Sequence, residues 1–146
     1  MKTIYNDIIA RLAATVPAIK WTDWNMGQLD TTERPAVMLP CALISIEIKS
    51  TKALTDTLQE CKAGVRITLG FDGLDRTSGQ VDTAVRATSL QVFDTIADVY
   101  KYLQGWNTSH FDALNRLTQK EKPAKNGTFQ YYIEFETTFE DLTAEA

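Results

Sequence analysis

Thr128-Phe129-Gln130-Tyr131-Tyr132-Ile133-Glu134-Phe135-Glu136-Thr137-Thr138-Phe139-Glu140 decides the fold. Phe129, Tyr131, Ile133, Phe135 and Phe139 fall on one parity; Gln130, Glu134, Glu136 and Glu140 fall on the other, with Thr137 the single polar break. A sustained period of two is a β-strand with one buried and one wet face, because successive side chains leave opposite sides of a pleated backbone. Asn126-Gly127, just before it, is a tight-turn pair. Residues 121–127 therefore read as a hairpin tip, joining this strand to a weaker one over 110–120.

The same pattern occurs twice upstream. Over 58–71, Cys61, Ala63, Val65, Ile67, Leu69 and Phe71 alternate with Glu60, Lys62, Arg66 and Thr68. Over 41–49, Ala42, Ile44, Ile46 and Ile48 alternate with Ser45, Glu47 and Lys49. With the polar residues 50–57 as their connection, the two runs predict an antiparallel pair with one wet face. Gly64 and Gly70 lie on the wet parity and mark bulges or close backbone approach.

Two segments carry the helical period instead. Over 3–16, Ile4, Ile8, Ile9, Leu12 and Val16 form one stripe, with Tyr5 inside it and Pro17 closing the element. Over 78–104, Val81, Val85, Val92, Phe93, Ile96, Val99, Tyr100 and Leu103 form a second stripe. Thr77 and Gln80 fit a capping box at its start and Gly105 fits its end. Leu90 falls off this stripe on the polar side, which makes it a candidate contact for another chain. Residues 17–36 are irregular, a stretch long enough that part of it is expected to form an extra edge strand. Within it, Trp21 and Trp24 either pack on the core rim or enter an interface, where tryptophan is enriched.

The order α-β-β-α-β-β, with every turn suited to antiparallel pairing, predicts an α+β two-layer sandwich. Its antiparallel sheet of four or five strands carries two helices on one face. One domain over residues 1–146 is expected, with residues 143–146 a loose tail. A mass of 16.4 kDa implies roughly 7,500 Å² of exposed surface when folded. With 44% apolar residues, this is enough to build a core without disulfides.

Composition also narrows function. The net charge of −4 argues against a generic nucleic-acid binder, which presents a basic field. No apolar run is long enough to span a membrane, and Met1 to Asp7 lack the apolar core of a signal peptide. A reducing cytosol with Cys41 and Cys61 as free thiols is expected. Neither cysteine belongs to a zinc-type spacing, and Cys61 has core parity. His110 is the one histidine, beside Ser109 and Asp112, and reads as an ordinary loop residue. Glu134 and Glu136 share a face and could act as an acid–base pair, but Lys62 and Arg66 suit them as cross-strand ion partners. Asp72 and Asp75 lack calcium-loop spacing, and no phosphate-binding glycine motif is present. The expectation is a protein with no catalytic site, no metal and no cofactor. Lys120, Lys122 and Lys125 cluster with Pro123 at a hairpin tip, as either a docking point or a solubilising, edge-blocking turn.

Element order and length, together with Arg34-Pro35-Ala36-Val37 leading into the first strand, resemble the tail terminator (tail completion) proteins of long-tailed bacteriophages and prophages and related small tail and neck proteins. The matching pieces are Ile4 to Val16, the strands at 41–49 and 58–71, the helix at 78–104 and the strands at 110–120 and 128–140. The resemblance implies a non-enzymatic protein that forms a ring, a hexamer, at the end of the tail tube. Such a ring terminates the tube and joins tail to head. Its partners would be further copies of itself, the tail tube protein and head–tail connector proteins. DNA would pass through without sequence-specific binding, and no membrane would be involved. The places implied are the bacterial cytoplasm during assembly and then the virion tail. The candidate interface residues are Trp21, Trp24, Leu90, Trp106, Lys120, Lys122 and Lys125. The alternative is a small ligand- or peptide-binding α+β module with its pocket near Trp21, Trp24, Tyr100 and Trp106. A small enzyme would have to work through His110 or the Glu134/Glu136 pair.

Overall fold

The computed structural model describes residues 1–145. Its framework is one five-stranded sheet in the order β1-β2-β3-β5-β4. The strands are β1 (Trp21–Trp24), β2 (Cys41–Ala53), β3 (Gln59–Asp72), β4 (Asn115–Lys122) and β5 (Thr128–Asp141). The helices are α1 (Lys2–Thr15), α2 (Thr83–Ser89) and α3 (Gln91–Leu103). The strongest alternation in the sequence becomes the centre of the sheet. β3 and β5 pair antiparallel along their whole length, from Gln59 opposite Asp141 to Asp72 opposite Thr128. Ala42, Ile44 and Ile46 from β2 join Val65, Ile67, Leu69, Ile133 and Phe135 on the inner face. α1 covers that face with Ile4, Ile8 and Leu12, and α3 with Ile96, Val99 and Leu103. The i, i+4 spacing of those residues points each helix's stripe at the sheet.

The structure differs from the sequence reading in five places. The helix expected over 78–104 is two helices that meet at Leu90 (φ −88°, ψ 2°). Just before the break the Thr88 hydroxyl bonds back to the Ala84 carbonyl at 3.2 Å, a local bond of the kind that bends helices. The next turn tightens, with Phe93 N–H donating to the Leu90 carbonyl. α2 buries no residue, so packing does not hold the two halves in line. Residues 77–80 do not cap a helix. Ser78 makes a turn there, accepting from Gln80 N–H on its side chain and from Val81 N–H on its carbonyl, and α2 begins later, at Thr83.

The strand expected over 110–120 starts only at Asn115. Phe111 and Leu114 are both buried although they sit on opposite parities, which a loop accommodates and a strand does not. β2 runs on to Ala53, and the connection shrinks to a turn in which the Leu54 and Thr55 N–H groups donate to the Leu58 carbonyl. Finally, the early edge strand exists, but β1 pairs parallel with β2, Trp21 opposite Cys41 and Trp24 opposite Ile44. A parallel pair needs a crossover rather than a hairpin. Residues 25–40 supply it as a strap laid across the outer face of the sheet. Residues 143–145 of the expected loose tail form a 3-10 turn, and residue 146 lies outside the described residues.

Candidate interaction surfaces

The outer face of the sheet is polar at one end and apolar at the other. At the polar end Arg66 stands opposite Glu134 and bonds it at 3.6 Å, and Lys62 reaches Glu136 at 3.3 Å. The Arg66 guanidinium also lies 4.4 Å from the centre of the Tyr132 ring. These are the cross-strand ion partners that the sequence suggested for Glu134 and Glu136. A recess of about 250 Å³ between them is lined by Asn25, Ser45, Glu47, Gly64, Arg66 and Glu134.

At the apolar end the strap covers the sheet. Leu29, Cys41 and Leu43 form a second buried cluster, separate from the main core, with Val37 and Leu39 against it. Gly70 makes room for it: a Cβ there would lie 2.8 Å from Leu29 Cδ2 and 3.0 Å from Cys41 Sγ. Burial pushes the Cys41 thiol up to a pKa of about 11. The strap is fastened by the β4–β5 hairpin. Asn126 Nδ2 donates to the Leu29 and Thr31 carbonyls at 2.9 and 3.0 Å, and Gln130 Nε2 donates to the Leu29 carbonyl at 2.9 Å. Lys122 pairs with Asp30 of the strap, and Arg34 of the strap pairs with Asp72 of β3 at 2.5 Å. Sequence parity puts Gln130 on the wet face and so misses its burial. The available signal is Gly70, a glycine opposite it in an otherwise regular strand.

A cleft of about 520 Å³ opens at the end of the molecule where Met1, the 108–112 loop and residues 138–143 meet. Beside it, His110 Nδ1 lies 2.7 Å from Asp7 Oδ2, and the Thr108 hydroxyl donates to the same oxygen at 2.9 Å. The pair ties the loop to α1. Both cysteines are buried elsewhere, Cys61 in β3 with its thiol pushed up by desolvation. Asp141 on the rim is held below the usual carboxylate range by the hydroxyl and N–H of Thr143. Among the described residues no three histidine, cysteine or carboxylate side chains gather as a metal-ion set. No helix there is long and apolar enough to cross a membrane.

The seven candidate interface residues are dispersed. Trp24 is half-buried, edge-on to Tyr5 with ring centres 5.5 Å apart, and Trp106 is half-buried against Phe111 at 5.2 Å with Arg11 over its ring. Trp21 is the exposed tryptophan, at the β1 edge of the sheet. Leu90 is half-buried at the α2–α3 joint. The lysine cluster divides: Lys120 and Lys125 are exposed, while Lys122 is engaged with Asp30. Larger exposed apolar groups, which the sequence patterns do not single out, lie elsewhere: Met26 and Met38 on the strap, Leu54 at the β2–β3 turn and Leu142 beside the cleft. Parity and helical phase cannot find them, because three of them lie in irregular segments and Leu54 in a tight turn.

No family model matches the chain, and no curated protein does. Solved structures do. One is a chain of the virion of a native gene transfer agent (GTA) particle, 14% identical, covering 92% of each chain with a TM-score of 0.54. At that identity the likeness is one of fold. The five-stranded sheet with its helices is thus an architecture shared nearly end to end with a chain of a virion particle.

Proposed function

We propose that this chain is a structural, non-catalytic virion protein of the tail-terminator kind. It assembles with copies of itself into a ring, a hexamer, at the end of a tail tube, where it ends the tube's growth and presents a surface to the head connector. The observation that carries this reading is the shared fold with a gene transfer agent virion chain over 92% of both chains. The sequence resemblance to tail terminators supports the same placement from the order of elements.

The molecule's edges suit such a role. β1 and β4 bound the sheet, both are short, and neither edge carries a further strand from the described residues. A ring needs a heterologous contact, two different patches that meet and close after a fixed rotation. The two ends of an open sheet are two such patches. The polar outer face and net charge of −4 suit a channel wall that DNA slides past without sticking. The test is cosedimentation with purified tail tubes followed by electron microscopy. The protein is expected to decorate one tube end and to halt elongation in an assembly reaction. Uniform binding along the tube, or none, would contradict the terminator role.

A further inference from the structure

We infer that the strap, residues 25–40, is a latch that opens on its own while the rest of the fold stays intact, and that Cys41 is the group it covers. This goes beyond the assembly role and does not depend on it.

Four observations carry the inference. First, the apolar cluster under the strap is separate from the main core, so lifting the strap does not unpack α1 or α3. Second, the strap has two buried side chains, Leu29 in that cluster and Pro35, with Val37 and Leu39 partly covered. Third, its other fastenings are polar: the Asn126 and Gln130 amides on strap carbonyls, the Lys122–Asp30 and Arg34–Asp72 pairs, and, at its two ends only, Asn25 N–H on the Ile44 carbonyl and Lys20 N–H on the Pro40 carbonyl. Fourth, the closed state leaves a buried acceptor unpaired. Gln130 is 1% exposed, and its Oε1 has no hydrogen-bond partner among the described residues. Opening admits water to that atom, which offsets part of the penalty of exposing Leu29. Local openings of this kind are drawn from segments with few apolar anchors and many exchangeable polar ones. Cys41 itself sits within β2, held between β1 and β3 by the sheet ladder. Leu29 and the Cys41 sulfur share the space over Gly70, so the strap covers the thiol from the outer side of the sheet.

The test is thiol modification of the native protein by a water-soluble disulfide reagent across low urea concentrations, with each cysteine quantified by peptide mapping. Cys41 is expected to react at least tenfold faster than global unfolding allows, with a urea dependence much weaker than that of global unfolding. Asn126→Asp replaces two donated bonds with a carboxylate facing two carbonyls and is expected to speed Cys41 about tenfold further while leaving Cys61 unchanged. Asp30→Asn, a surface change that spares the core, is expected to speed Cys41 by a smaller factor. If Cys41 reacts only with the full urea dependence of global unfolding, or if both cysteines accelerate together in these variants, the strap is an integral part of one cooperative fold and the inference fails.

Discussion

A methyl group at position 70 would meet Leu29 Cδ2 at 2.8 Å and Cys41 Sγ at 3.0 Å, so the absence of a side chain there decides how the outer face is built. Leu29 is the strap residue buried in that cluster and cannot retreat without uncovering it. Gly70→Ala is therefore expected to destabilise the fold by about 1–3 kcal/mol, the usual cost of overpacking a filled site. Urea denaturation reads the loss. Cys41 adds a pH dependence at the same place. Its thiol is buried and its pKa is raised from 9.0 to about 11, so the folded state holds the proton where the unfolded state releases it. The stability this contributes is complete below pH 9 and is lost as pH rises through about 11. Cys41→Ala is expected to flatten the fall in melting temperature between pH 9 and 11, and an unchanged slope would mean that other groups carry it.

At the scale of elements, alternation and helical phase carry the inner face. β3, β5 and the stripes of α1 and α3 are legible in the sequence because burial imposes period two or period 3.6 on their residues. What the sequence hides is set by contacts between distant segments. The strap's path depends on Asn126 and Gln130, about a hundred residues away, and nothing in residues 25–40 announces it. The Phe111–Leu114 loop resembles a strand because it holds apolar residues, but their i, i+3 spacing breaks the period of two. Leu90 stands at the α2–α3 break, half-buried. If the joint faces a neighbouring subunit, Leu90→Glu weakens association about tenfold, the effect of losing an interface residue worth a little over 1 kcal/mol. The monomer's far-ultraviolet circular dichroism and melting temperature are expected to stay close to wild type. Unchanged association would place Leu90 among ordinary half-exposed leucines. The seven candidate interface residues rest on residue type, helical phase and turn position, none of which reports whether folding brings them together. Folding puts Trp24 and Trp106 against the core rim and Lys122 on the strap.

For the whole molecule, the exposed surface of 8474 Å² exceeds the roughly 7,500 Å² of a compact monomer of this mass. The outer half of β2 accounts for part of the excess, since residues 47–53 are exposed throughout and the turn beyond them carries the exposed Leu54. The assembly proposed for this chain would cover some of that surface. Self-association is therefore the property to measure directly, as the mass of the purified protein across concentration, by light scattering behind size exclusion. A closed oligomer of ring size, a hexamer, is expected, its population growing with concentration. A protein that stays monomeric up to millimolar concentration would contradict assembly with copies of itself.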